Sequence, residues 1–110
     1  MNKYTEANKR LALALGWTEI IEVGGALLGT PPDGAPESRG QAIVPDWCGD
    51  WRECGPLQSS GISLQWKHNR VMAESRSGGL EALLSSHARR CDAARYVIVR
   101  VKTDELEYSK

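Results

Sequence analysis

Residues 62–75 constrain this chain most, because their pattern fits one arrangement: two antiparallel strands with a shared apolar face. Ile62, Leu64 and Trp66 alternate with Ser63, Gln65 and Lys67, the period of a half-buried strand. His68-Asn69 supplies a turn, and 71–75 returns with Val71 and Ala73 on one face and Met72 and Glu74 on the other. A lone hairpin is marginal in water and needs more strands or a helix against it.

The flanking sequence offers both. Tyr4, Ala7, Leu11, Ala14 and Leu15 form a stripe at helical spacing, predicting a helix over 5–15 capped by Thr5, with Glu6 in its first turn and Gly16 as its stop. Leu13 falls opposite the stripe, on the surface. Ile20, Ile21 and Val23 mark a strand over 17–23, and Gly24-Gly25 turns it into a second over 26–30. The run over 31–40, opening Pro31-Pro32-Asp33-Gly34, holds neither a helix nor a central strand and reads as an exposed loop. A short apolar run over 42–44 ends at Pro45. Asp46 then caps a turn in which Trp47, Trp51 and Cys54 lie at helical spacing. Gly55-Pro56 interrupts, and Pro56 opens a continuation to Ser60.

Beyond Gly78-Gly79 the pattern predicts a short helical piece over 80–87. The segment from Tyr96 to Val99 is β-branched enough for a strand. However, Ala93, Ala94, Val97, Ile98 and Val101 share one arc of a helical wheel behind Asp92 as a cap, predicting a helix over 92–103. The expected fold is α+β: one small domain over 1–110, an antiparallel sheet of about four strands flanked by N-terminal, middle and C-terminal helices.

Composition narrows the class. Hydrophobic residues make up 41% and charged residues 25% of 110, enough for a modest core. No stretch approaches the roughly 18 apolar residues of a membrane span, and no secretory signal opens the chain. The expectation is a soluble intracellular protein with no membrane role. Its three cysteines, Cys48, Cys54 and Cys91, are an odd number and read as free thiols in a reducing compartment. Cys48, Cys54, His87 and Cys91 could in principle hold a structural zinc, His87 and Cys91 being four apart. The Cys-x5-Cys spacing is wider than zinc sites use, so small half-buried residues are the favoured reading.

Nothing assembles a catalytic set. Asp46, Asp50 and Glu53 lie close in sequence but suit capping and a solvated face, and Gly24-Gly25 lacks the Lys-Ser/Thr of a phosphate loop. The chain therefore reads as non-enzymatic, with no cofactor. Net charge is zero, yet 67–102 carries 8 basic and 3 acidic residues while 1–66 carries 5 and 8. Lys67, Arg70, Arg76, Arg89, Arg90, Arg95, Arg100 and Lys102 could form a stripe for the phosphate of a nucleic acid or nucleotide, or for an acidic protein surface. Four tryptophans supply anchors for a protein partner. Trp17 and Trp66 are expected in the core. Trp47 and Trp51, beside an acidic rim, and Arg95, Arg100 and Lys102, bordering the last helix, are the candidate binding residues.

Several pieces in order carry a resemblance. Asn8-Lys9-Arg10-Leu11-Ala12 precedes Gly16-Trp17-Thr18; Pro45-Asp46-Trp47 follows with Asp50-Trp51 and Gly55-Pro56-Leu57; the 62–75 hairpin and Asp92-Ala93-Ala94-Arg95 close the series. The chain resembles the small bacteriophage proteins of the ABA-sandwich domain, which include the NinX-like proteins. The resemblance implies an α+β domain of antiparallel strands flanked by helices, encoded by a phage or prophage, and implies no activity. The 31–40 run and the extra length between Gly78 and Arg90 depart from the pattern. An accessory protein of this kind is expected in the host cytoplasm, bound to a host protein, as an inhibitor of a host defence such as CRISPR.

Overall fold

The computed structural model describes residues 2–32 and 42–108. Among these residues three helices and six strands appear in the order α1 (Lys3–Leu15), β1 (Thr18–Val23), β2 (Ala26–Thr30), β3 (Ala42–Ile43), α2 (Trp51–Ser59), β4 (Ser63–Trp66), β5 (Arg70–Ser75), β6 (Gly78–Leu83) and α3 (Arg90–Tyr108). A 3-10 turn over Leu84–Ser86 joins β6 to α3. The α+β class with antiparallel strands is observed. The strands form two three-stranded sheets, β1-β2-β3 and β4-β5-β6, each antiparallel throughout. Positions 33–40 of the expected loop lie outside the described residues.

Helix α3 is the centre of the molecule. Ala93, Ala94, Arg95, Val97, Ile98, Val99, Val101 and Thr103 are all buried, a distribution that covers nearly every side of the helix. One side meets the second sheet: Arg90 stacks over Trp66, and Val101 lies beside the β5–β6 turn. The other sides meet α1 and α2. The second sheet turns Val71 and Ala73 inward, and their cross-strand partners Leu64, Leu80 and Ala82 share that face.

Several sequence expectations are corrected. Helix α1 starts earlier because Asn2, not Thr5, is the cap; its side chain accepts from the Thr5 backbone N–H at 2.8 Å. Gly16 does end it, in the left-handed conformation at φ +108°. Trp47 lies in a turn before α2, and Asp50 is the α2 cap. Pro56 does not interrupt α2 but sits inside it; Gly55, lacking a Cβ, eases the crowding that a residue before proline normally suffers. Positions 78–83 form a strand and not a helical piece, because pairing with β5 continues from Ser75↔Gly78 to Arg70↔Leu83. Helix α3 extends from Arg90 to Tyr108, with Asp92 inside its first turn and not at its cap. Trp66 is exposed at its strand end, with Arg90 over its ring.

Candidate functional site

A buried polar lock fixes the segment 44–50 between α1 and α3. Asn8 interrupts the apolar face of α1; its Nδ2 donates to Asp46 Oδ1 at 2.9 Å and its Oδ1 accepts from the Cys48 backbone N–H at 3.0 Å. Arg95 answers from α3. It is only 3% exposed, donates from Nε to the Cys48 carbonyl at 2.8 Å and pairs with Asp92 at 2.7 Å. Both backbone groups of Cys48 are thus held by buried side chains, as buried polar groups require. The Asp46 carboxylate also accepts from the Gly49 N–H at 3.0 Å, and a Cβ on Gly49 would collide with it.

This segment walls an open groove of about 650 Å³. Its polar lining comes from Asn2, Tyr4, Thr5 and Asn8 of the α1 end and from Asp46, Asp50, Glu53 and Asp92; no Lys or Arg lines it among the described residues. Asp92 is matched by Arg89 and Arg95. The hydrogen bond from Arg89, then the charges of Arg89 and Arg95, hold the Asp92 carboxyl below its ordinary value. The other three carboxylates make no ion pair among the described residues. Cys48 also lines the groove, but burial first, then Asp46, pushes its thiol up to about 12, and burial pushes Cys54 to about 11. Neither is a thiolate nucleophile at neutral pH.

At Ile43 the groove joins an apolar sheet face that the described residues leave exposed. Ile21, Leu28 and Ile43 are cross-strand partners, and Val23 lies two residues from Ile21 on the same side. Ile21 is 46%, Val23 53% and Ile43 71% exposed. The opposite face buries Leu27 and packs Ile20 on the core. The face is therefore clear of the chain's own core, although four aliphatic side chains occupy it. Its free edge, β1, is irregular between Thr18 and Ile21, where Glu19 has φ +55°. Such a bulge discourages edge pairing.

The sequence-derived site residues do not converge. Trp47 is buried, whereas Trp51 is exposed with Arg95 stacked 5.2 Å from its ring centroid. Arg95 was expected on a solvated border; it is buried because α3 is covered on that side by 44–51. Lys102 pairs with Glu105 and donates to Ser60 Oγ. Arg100 faces α1. The basic residues of 67–102 form no continuous stripe: Arg70, Arg89, Arg95 and Lys102 are each ion-paired. The zinc candidates are scattered as well. Cys48 and Cys54 are core residues, and His87 shares a 2.6 Å hydrogen bond with the Tyr4 hydroxyl. Among the described residues no three His, Cys, Asp or Glu side chains come together as metal ligands. No described helix is long and apolar enough to cross a membrane.

The sequence reading missed Asn8 and the sheet face. The alternation of Ile21 and Val23 with Glu22 was visible, but Glu22 sits on the packed side of the sheet while the aliphatics face out. No family model, no curated protein and no solved structure matches the chain.

Proposed function

We propose that this chain is a non-enzymatic phage or prophage accessory protein that acts by docking on a basic host protein. The observation that carries the reading is the face of Ile21, Val23, Leu28 and Ile43, continuous at Ile43 with a groove carrying three carboxylates that make no ion pair among the described residues. Exposed aliphatic clusters of this kind mark interaction sites. The charge beside this one selects the partner: an apolar centre flanked by Lys or Arg. The resemblance of the motif order to the ABA-sandwich proteins supports the phage origin, and a host defence complex such as CRISPR is the class of target that origin favours. A nucleic-acid interface draws less support, because half of the basic residues in 67–102 are already paired with carboxylates and no aromatic ladder accompanies the rest.

The test is retention of a stoichiometric host partner by the tagged protein, repeated with Ile21→Asp/Ile43→Asp and with Asp50→Lys/Glu53→Lys. The reading expects a partner with a basic surface, released by rising salt, and lost from both variants while their melting temperatures stay near that of the parent. Retention of the partner by both folded variants would overturn it.

A further inference from the structure

We propose that the hollow between α1 and α3 binds a compact phosphate group. It lies across α1 from the acidic groove: Asn2, Thr5 and Asn8 line the groove, while Lys3, Glu6 and Arg10 line the hollow together with Tyr96 and Arg100 of α3. The inference is therefore independent of the docking face.

Three cations converge there; Glu6 is the lining carboxylate, and Asp104 and Glu107 stand beside Arg10. Each cation is held by a contact that fixes its position without exhausting its donors. Lys3 Nζ gives one hydrogen to the Ser86 carbonyl at 2.6 Å and keeps two. Arg10 is held through one terminal nitrogen, by Glu107 at 2.7 Å and Asp104 at 3.9 Å. Arg100 makes no ion pair among the described residues and lies 5.6 Å from the centroid of the Tyr96 ring. Stacking leaves the in-plane N–H donors of a guanidinium free for an oxyanion. Lys3 also lies 5.8 Å from the Tyr96 centroid, so the ring sits among the cations. The positive field reaches further: after burial, the charge of Lys3 is the main cause pushing the His87 imidazole down. Lys3 and Arg100 make no ion pair among the described residues, and a dianionic phosphate suits three donors of this kind better than a monovalent ion.

Size limits the ligand. The hollow is about 240 Å³, below the roughly 300–1,000 Å³ of sites that enclose a drug-sized molecule. It admits the phosphate itself, as a free ion or as the end of a phosphate monoester whose remainder stays outside.

Thermal shift and phosphorus NMR line broadening with inorganic phosphate test the site, against sodium chloride at matched ionic strength. The parent protein is expected to show a saturable response to phosphate that chloride does not reproduce. Arg100→Gln should weaken binding roughly tenfold or more, as the loss of a charge-assisted hydrogen bond does. Glu6→Gln should tighten it by removing the opposing charge, an effect that a purely structural Glu6 would not produce. Arg76→Gln, outside the hollow, should bind as the parent does. Adenosine 5′-monophosphate is the second probe: binding tighter than phosphate identifies an ester end, and equal or weaker binding identifies the free ion. An equal response to chloride, or phosphate binding unchanged in folded Arg100→Gln, overturns the proposal.

Discussion

Replacing Arg95 by Met removes a charge from the interior while leaving a side chain of similar length. Two contacts vanish together: the 2.8 Å bond to the Cys48 carbonyl and the 2.7 Å pair with Asp92. The carbonyl belongs to a buried residue, and leaving such an acceptor unsatisfied costs about 1–3 kcal/mol. Breaking a fully buried ion pair from one side costs about 3–5 kcal/mol. Asp92 does not bear that in full, since its side chain is 15% exposed and keeps Arg89 at 3.1 Å. The expected loss is then about 3 kcal/mol, a large share of the ~5–15 kcal/mol that holds a domain together. At ~4 °C or more per kcal/mol for a domain near this size, the melting temperature should fall by at least about 12 °C. Arg95→Lys keeps the charge but not the fork, and should fall between the parent and Arg95→Met. Arg100→Met, on the same helix but facing the hollow, should stay within about 0.5 kcal/mol of the parent. Thermal and urea melts of the four proteins measure this series. An Arg95→Met variant melting within about 3 °C of the parent would show that Arg95 is a tolerated passenger and not the tie between α3 and 44–50.

Other outcomes follow from burial and titration. Val97→Asp should abolish cooperative unfolding, because Val97 is among the most buried residues of α3 and an unpaired carboxylate there has no partner; circular dichroism melts read this directly. Alkylation of the native protein at pH 8 should modify Cys91, which is partly exposed, before Cys48 and Cys54, and denaturant without reductant should bring all three into reaction. His87 sits below its ordinary value of 6.5 through burial and then Lys3. The unfolded chain therefore binds more protons there, so His87 adds stability above pH 6.5 that is lost as pH falls toward its folded value. The drop in melting temperature from pH 7.5 to 5.0 should be smaller in His87→Gln, and an equal drop in both proteins would refute the assignment.

The parts of the fold legible in sequence are those where local pattern and tertiary packing agree. Strand β2 occupies 26–30 as expected, and Val71 and Ala73 are buried as their alternation predicts. Strand β6 was illegible because Gly78-Gly79 reads as a break. Leu80 and Ala82 do alternate with Glu81, but six residues carry little weight without the β5 edge that recruits them. The end of α3 was hidden for a different reason. Asp104, Glu105 and Glu107 look like a polar tail, yet Arg10 and Lys102 engage them along the helix. Arg95 and Asn8 show the firmest limit. Nothing in a helical wheel states that a charged residue will meet a backbone carbonyl 47 positions away, so a long cation beside an apolar arc is placed at the border by default.

A net charge of zero describes neither face of this molecule. Helix α1 divides them: positions 2, 5 and 8 turn toward the carboxylates of the groove, and positions 3, 6 and 10 toward the cations of the hollow. A helix with its side chains is about 10 Å across, and the screening length at physiological ionic strength is about 8 Å. Each surface therefore presents its own field to a ligand in contact with it, and the two fields do not average. Charge reversal at Asp50 and Glu53 should leave phosphate binding within a factor of about two, while Arg100→Gln should leave retention of a basic partner intact. Cross-effects as large as the direct ones, in either direction, would mean that one continuous surface is at work and that α1 does not separate two sites.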